Sequence, residues 1–594
     1  MHTMTVQQEQ VARWLAEFGA AARNADAGAM ASLFEADGFW RDLVAFTWNI
    51  VTLEGRHQIV AALGAVLPGS HACGWRVDGM ATQEHGSAAA WFTFETALGR
   101  GVGHVRLRDG KCWTLLTTLQ ELKGFEEARG PTRPRGVEHG IVPGRRSWLE
   151  EQTRHRAALG TSRQPVCLIV GGGQGGIALA ARLKRLNVGA LVIDARARAG
   201  DAWRARYKSL CLHDPVWYDH LPYLPFPDHW PVFTPKDKMG DWLEMYTRVM
   251  EIDYWGNTEC LRAQRDDANG DWIVEVQRDG QLLTLRPQQL VLATGLSGLP
   301  ELPAIPGAGQ FAGRQMHSSA FVDGASWCGK RCVVVGSNNS AHDICANLWE
   351  NGADVTMLQR SSTLVVRSDT LMQVGWGKLY SEAALAAGIT TERADLALAS
   401  LPFKVMAQLQ KPVYDQVQRM DAVFYERLRR AGFLLDFGED GTGLSLKYLR
   451  RGSGYTIDVG ASELVANGSI HLRSPVSVNS ISAHALNLSD GSSVAADLIV
   501  YATGFGSMTG WAAKLISQEV ADRVGPCWGL GSGTAKDPGP WLGELRNMWK
   551  PTAQPGLWFH GGNLQQSRSY SLYLALQIKA RQEGLATAVF QPAR

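Results

Sequence analysis

Twice along this chain a short apolar strand runs into a glycine-bearing turn and straight on into a helix, and few local patterns restrict a fold more. In the first instance residues 166–170 form the strand. Gly171-Gly172-Gly173-Gln174-Gly175-Gly176 follows, and a helix is predicted over 177–186. Gly171 makes the turn, Gly173 lets the backbone approach a pyrophosphate, and Gly176 lets helix and strand pack closely. The helix start offers unpaired N–H groups and a positive dipole end to phosphates. A second strand, Ala190–Ile193, ends in Asp194, 23 residues after Gly171. A carboxylate there accepts hydrogen bonds from a ribose diol and repels a 2′-phosphate.

The second instance starts with Arg331–Val335 and turns through Gly336-Ser337-Asn338-Asn339-Ser340-Ala341 into a helix reaching about residue 350. Asn338 and Ala341 stand where the second and third glycines would be. Asn tolerates left-handed backbone and Ala is small, so a tight turn is still expected. The next strand, Asp354–Leu358, leads into Gln359-Arg360-Ser361-Ser362. Arg360 replaces the acid of the first site, and guanidinium pairs well with phosphate. One acidic and one basic dinucleotide site point to FAD plus NADPH, with hydride passing from nicotinamide to flavin. NADH stays open as a second donor.

The rest of the chain bounds the answer. At 594 residues it holds about four domain-sized units. Net charge is +2 with both signs interspersed, which excludes a dedicated nucleic-acid binder or a polybasic membrane anchor. No run of about 18 apolar residues is present, so no spanning helix is expected. The N-terminus (Met1, His2, Thr3, then Gln7, Gln8, Glu9) lacks a basic segment followed by an apolar one, and no secretory signal is expected. Nine scattered cysteines without CxxC read as free thiols in the cytoplasm, with no metal site.

Residues 1–125 read as helices over 6–22, 27–34 and 57–67, then strands over 88–98, 102–107 and 113–119, the last two flanking Asp109-Gly110, a hairpin dipeptide. Helices followed by a curved antiparallel sheet resemble the NTF2-like (SnoaL-like) α+β cone. Such cones place His and Asp in a pocket, and Asp37, Asp42, His57 and His71 are available. A docking or dimerising cap is the favoured role. Residues 126–164, rich in Gly, Pro and Arg, form a linker with one short helix over 147–159. The fold class is therefore α/β: two Rossmann-like dinucleotide-binding domains preceded by an α+β cone. The boundaries are 1–125, linker 126–164, FAD domain 165–327, NADPH domain with helical insertion 328–484, and FAD domain again 485–594. The stretch 370–455 reads largely as helix, Asp436-Phe437-Gly438 as a turn, and 571–582 as an amphipathic helix.

Phe311, Gly313, His317, Ser318 and Phe321 match FxGxxxHSxxF just ahead of the second turn. This resembles the fingerprint of class B flavin-dependent monooxygenases, in the flavin-containing monooxygenase form. The resemblance covers about residues 165–590. It includes Trp203, Tyr207-Lys208-Ser209, Leu224-Pro225-Phe226-Pro227, and two interdomain crossings, Ala293-Thr294-Gly295 and Ala502-Thr503-Gly504-Phe505. The N-terminal unit is similar to that of type II members. The resemblance implies cofactor contacts at Gly171, Gly173, Gly176, Asp194, Trp203, Gly336, Asn338, Ser340, Arg360, Ser361, Thr503 and Gly504. It implies catalytic positions at His213 and His317. His213 stands where many members carry an asparagine near the flavin, YUCCA-type plant relatives look similar to this chain there, and Asp201 replaces a usual glycine. His317 reads first as a pin between the domains, ahead of a role in hydride or oxygen steps.

The implied activity takes NADPH and O2 and inserts one oxygen atom into a small organic substrate, through a flavin C4a-(hydro)peroxide. The outcome is N- or S-oxygenation or Baeyer–Villiger oxidation. Two alternatives stand beside it: an NADPH oxidase making hydrogen peroxide, and a non-catalytic flavoprotein scaffold. A disulfide reductase is disfavoured, because only Cys211 follows the first unit closely. No nucleic acid and no membrane are expected as partners, and a homodimer is left open.

Overall fold

The computed structural model describes residues 5–136, 139–296 and 298–592. The reading of the N-terminus as lacking a secretory signal falls partly on residues 1–4, outside the described residues. The N-terminal part runs α1 (Val6–Arg23), α2 (Ala27–Ser32), β1 (Phe34–Leu43), β2 (Ile50–Glu54), α3 (Gly55–Val66), β3 (Cys73–Glu84), β4 (Ser87–Glu95), β5 (Gly99–Arg108) and β6 (Lys111–Leu122). The six strands form one sheet in the order β2-β1-β6-β5-β4-β3. Thr5 caps α1 by accepting from the Gln8 amide at 3.2 Å. Asp109 and Gly110 both take left-handed φ, +46° and +79°, as the tight β5–β6 hairpin requires.

Three of these strands, β1, β2 and β3, carry no clean alternation and were not expected from the sequence. The edge strand β3 is mostly exposed and has two register shifts, so nothing selects a repeating apolar face. The four polar residues offered for a pocket do not converge. Asp37, His57 and His71 are exposed. Asp42 is buried and fully engaged, accepting from Thr117 at 2.6 Å, from Thr47 Oγ1 at 2.6 Å and from two backbone amides.

The N-terminal sheet is fastened to the rest of the chain by buried charge. Arg41 of β1, 1% exposed, makes a bidentate pair with Glu544 at 2.6 and 2.8 Å and also donates to Ala399 O and Tyr570 Oη. Thr52 donates to the same carboxylate at 2.6 Å. Arg106 of β5 donates to Ser400, and Phe590 N donates to Thr47 O. One apolar core runs on from α1 and β1 into the first parallel sheet and the C-terminal helix.

The linker region contains α4 (Trp148–Ala158), capped by Ser147 and Glu150 acting reciprocally. Then come β7 (Cys167–Val170), α5 (Gln174–Arg185) and β8 (Ala190–Ile193). β7 and β8 lie in a five-stranded sheet with Gln289–Leu292, Leu557–Phe559 and Tyr254–Trp255, every pairing parallel. A second all-parallel sheet orders Arg314–His317, Leu498–Tyr501, Arg331–Val335, Asp354–Leu358 and His471–Arg473. Its two central strands, Leu498–Tyr501 and Arg331–Val335, are almost wholly apolar, because one face packs on the helix Asn339–Glu350 and the other on the small antiparallel sheet of Val478–Ile481, Ala485–Leu488 and Ser493–Ala495.

Residues 368–451 are mainly helical, with two short strands, Thr363–Arg367 and Leu435–Asp436, pairing alongside. Asp436 closes its turn by accepting from the Gly438 amide at 2.9 Å. The C-terminal helix corrects one expectation. It spans Leu564–Gln582, starts earlier than expected, and is buried on nearly every face for fifteen residues rather than amphipathic. It lies between α5 and the N-terminal sheet, so both of its sides meet protein. Among the described residues no helix is long and apolar enough to cross a membrane.

Candidate functional site: two dinucleotide turns and the segment between them

At the first turn the three glycines are needed for different reasons. Gly171 has φ +116°, and a Cβ there would lie 2.4 Å from Ala293 O. A Cβ on Gly176 would lie 2.0 Å from Gly171 O. Both are dictated by the chain's own packing. A Cβ on Gly173 would meet nothing within 4 Å, so no protein atom demands that glycine. The open space lies at the start of α5, where the first-turn N–H groups have no helical partner. This is a cradle fitted to a pyrophosphate. Asp194, at the end of β8, accepts from the Gly172 amide at 2.7 Å and the Arg196 amide at 2.8 Å. It stays half-exposed with lone pairs to spare for a diol.

Trp203 is tied to the same turn, donating from Nε1 to Gln174 Oε1 at 3.3 Å. Gln174 in turn donates to Gly562 O at 3.3 Å. Trp549 donates to Gly561 O at 3.2 Å and stacks on Tyr570 with ring centres 3.9 Å apart. The C-terminal turn is thereby laced to the dinucleotide loop. Asp201 occupies the first turn of a short helix, where it accepts from Arg198 N at 3.0 Å and pairs with Arg204 at 2.9 Å.

The second turn is built alike, with one correction. Gly336 has φ +133°, with Ala502 O 2.5 Å from a would-be Cβ. Asn338 does not use its tolerance of left-handed backbone, because it is extended at φ −97° and begins the helix Asn339–Glu350. Gly336 alone supplies the positive φ, and Asn338 Oδ1 instead accepts from Thr363 Oγ1 at 3.2 Å. Ser340 is half-buried in the first helical turn. Gln359 is buried and clamps the Leu434 backbone in both directions, at 3.0 and 2.8 Å. That leaves Arg360 and Ser361 exposed beyond the strand end. Arg360 has no hydrogen-bond or ion-pair partner among the described residues.

Between the turns, His317 is pinned. Its Nε2 donates to Gly504 O at 2.9 Å, and its Nδ1 accepts from the Ser319 amide at 3.1 Å. Burial lowers its pKa, and its ring meets Phe505 edge-on. Thr503 Oγ1 donates to Glu301 O at 2.5 Å. His213 sits 3.5 Å from Asp343 Oδ1, and Tyr207 Oη donates to Asp343 Oδ2 at 2.5 Å. Burial disfavours the His213 cation, but the hydrogen bond and charge of Asp343 win and raise its pKa. Asp343 lies on the second turn's helix, so the segment carrying His213 is anchored to the second domain. Sequence reasoning missed Asp343. Its signal was a lone carboxylate on an otherwise packed helix face.

Three buried histidines have pKa values lowered by desolvation: His104 to about 4, His220 to about 4 and His560 to about 3. His560 lies against the first turn, with Cδ2 3.3 Å from where a Gly175 Cβ would be. A depressed folded pKa gives stability that is present above the unfolded value and lost as pH falls toward the folded one. His104 should therefore cost stability between about pH 6.5 and 4. A His104→Gln variant is expected to shrink the stability difference between pH 7 and pH 5 by about 2 kcal/mol. Urea titrations of both proteins at the two pH values measure this.

The pair of parallel sheets, each with its dinucleotide turn and joined by two crossings, defines a two-dinucleotide-domain fold. The chain is similar to proteins named as monooxygenases and to a family of pyridine-nucleotide oxidoreductases. Residues 168–397 match the family described as pyridine nucleotide-disulphide oxidoreductase. The chain is 34% identical over 203 residues to indole-3-pyruvate monooxygenase YUCCA1 of Oryza sativa subsp. japonica, covering 34% of this chain and 49% of that one. It is 27% identical over 344 residues to the probable indole-3-pyruvate monooxygenase YUCCA9 of Arabidopsis thaliana, covering 57% and 75%. The chain thus spans about half the length of most curated relatives it matches. Among solved structures it is similar in fold to the open form of cyclohexanone monooxygenase, with TM-score 0.51 and 17% identity over 71% of this chain and 88% of that one.

Proposed function

We propose that the protein is an FAD- and NADPH-dependent monooxygenase that passes one oxygen atom of O2 to a small organic substrate and releases the other as water. The observation that carries this reading is the pairing of the two turns. Each leads from a parallel strand into a helix start that can face a pyrophosphate, one followed by Asp194 and the other by Arg360, which has no partner among the described residues. FAD would be held at Gly171, Gly173, Gly176, Asp194 and Trp203. NADPH would be held at Gly336, Asn338, Ser340, Arg360 and Ser361. FAD, when bound, supplies the two-electron path from nicotinamide to oxygen. The chain's own part is to hold both ligands, exclude water and manage protons. His317 serves this as the pin between the sheets, and Thr503 and Gly504 as the crossing it grips. His213 serves through its charge, fixed by Asp343. The relatives named for indole-3-pyruvate support a small aromatic or carbonyl substrate class.

We further propose the boundaries 1–125, 126–164, 165–327, 328–484 and 485–594, with the first unit an NTF2-like cone acting as a brace. The six-stranded sheet with its preceding helices supports the cone. The Arg41–Glu544 pair supports the brace. Removing one partner of a buried ion pair leaves the other charge uncompensated, at about 3–5 kcal/mol. Arg41→Met should lower the melting temperature and speed FAD loss, because Tyr570 and Trp549 connect Glu544's neighbourhood to Gly561. Thermal scans and flavin release on dilution measure both. Free thiols fit a cytoplasmic location.

The deciding experiment reduces the purified flavoprotein anaerobically with NADPH and mixes it with oxygen in a stopped-flow spectrometer. A delayed return to the oxidised spectrum, shortened by substrate with one oxygenated product per NADPH, is expected. Immediate return with stoichiometric hydrogen peroxide, whatever substrate is present, would make the protein an oxidase. Failure of NADPH to reduce the flavin would leave only a scaffold.

A further inference from the structure

Asp219 breaks a rule that the other buried carboxyls among the described residues obey. It is 0% exposed, and neither carboxyl oxygen has a hydrogen-bond partner. By contrast Glu544 is held by Arg41 and Thr52, Asp395 by Arg568 and Tyr380, and Asp537 by three amides and Arg546. An ionised carboxylate buried without partners is too costly to persist, so the group holds a proton or waits for a donor.

Its surroundings favour the proton. Asp214, five residues earlier on the same segment and half-buried, adds like charge, and a carboxyl shut away from water beside another does not readily ionise with it. Arg568 of the C-terminal helix is the facing cation. It is already spent on Asp395, at 2.9 Å from two nitrogens, and on the carbonyls of Tyr218 and His220 at 2.7 and 2.5 Å. The remaining titratable groups around the pair are Cys211, His213, Tyr218, Tyr448 and Tyr455. Burial pushes Asp214 up to about 6 against the pull of His213, and burial with Asp214 holds Asp219 far above the carboxylate range.

The segment that carries the pair is also tied to the first dinucleotide turn, through the residue beside Asp219. Asn563 donates to the hydroxyl of Tyr218, next to Asp219, at 3.1 Å. Asn563 directly follows Gly562, whose carbonyl accepts from Gln174 of the turn. His213 lies beside Asp214 with its side chain 13% exposed, giving a route toward solvent.

We propose that the half-buried Asp214 and the buried Asp219 form a carboxyl pair that carries one proton in the resting protein and supplies the proton that oxygenation consumes. The reaction balances as NADPH + H⁺ + O2 + substrate → NADP⁺ + oxygenated substrate + H2O. Hydride supplies two electrons, the O–O bond breaks, one oxygen bonds to substrate, and the other leaves as water after taking the pair's proton. Solvent reprotonates the pair by way of His213. The delivery step rests on the monooxygenase reading, whereas the proton's residence on the pair does not.

The test has two parts. Infrared spectra of the resting FAD-loaded protein, without NADPH, are recorded across pH 5 to 9 for wild type and Asp219→Asn. A protonated-carboxyl band at neutral pH in wild type, absent from the variant, is expected. No such band, or one the variant retains, overturns the proposal. Asp219→Asn replaces an already neutral group with an isostere, so its melting temperature should be unchanged, and a large loss would show that Asp219 was ionised and paired. In turnover the variant's kcat should fall about 100-fold, as loss of an internal acid does, and recover with small added carboxylic acids. A lost band with unchanged kcat would overturn delivery. A protein that makes only peroxide while keeping the band would sink the monooxygenase reading and leave the protonated pair standing.

Discussion

A Gly173→Val variant is expected to fold normally and to purify without its yellow colour. Gly173 has φ −79° and ψ −171°, extended backbone that valine adopts readily. An added Cβ meets no protein atom within 4 Å. The apoprotein's stability should therefore change by no more than about 0.5 kcal/mol, as for a surface substitution. The isopropyl group would instead occupy the space through which a pyrophosphate reaches the α5 N-terminus, and flavin retention should fall by a factor on the order of 100 or more. Gly176→Val is the control. Its Cβ would lie 2.0 Å from the Gly171 carbonyl oxygen, so that variant should fail to fold. The ratio of flavin to protein absorbance after gel filtration, read beside apoprotein melting, separates the cases. A fully loaded Gly173→Val protein would remove this turn as the FAD site.

Arg360→Ala should erase most of the preference for NADPH over NADH. Arg360 is exposed and holds no partner among the described residues, so its loss costs the fold almost nothing. On the proposed function, what would disappear is a charge-assisted contact to a 2′-phosphate, worth about 1.5–3 kcal/mol. The Michaelis constant for NADPH should rise about 10- to 100-fold, with that for NADH unchanged. Initial rates of flavin reduction by each donor measure it. If selectivity survives, the contact moves to Arg473, an exposed cation whose strand pairs with this one at Leu358.

Much of the frame was legible in the residues. Both turns, the strands Ala190–Ile193, Arg331–Val335 and Asp354–Leu358, and the hairpin at Asp109-Gly110 stand where the pattern put them. Each depends on interactions within a few residues: a glycine that escapes a clash, a strand whose neighbours share its apolar run, a cap that finds an amide three positions on. Local sterics are written locally, and the crossing motifs added the order of the two domains.

Other features were decided only when distant surfaces met. Arg41 and Glu544 are 503 positions apart, and neither has a neighbour that announces a buried pair. Asp343 reads as an ordinary helix carboxylate until the segment of Tyr207 and His213 folds onto it. Asn338 looked like a glycine substitute and became a helix cap, because Gly336 had already absorbed the strain. Nothing in the string distinguishes Asp219 from a solvated aspartate. Burial is a property of which faces pack together, and that is a sum over the whole chain. The sequence alone determined what kinds of ligand this protein is built to hold. The tertiary structure decided where its charges and protons reside, because only packing sets which of them lose water and which find a partner.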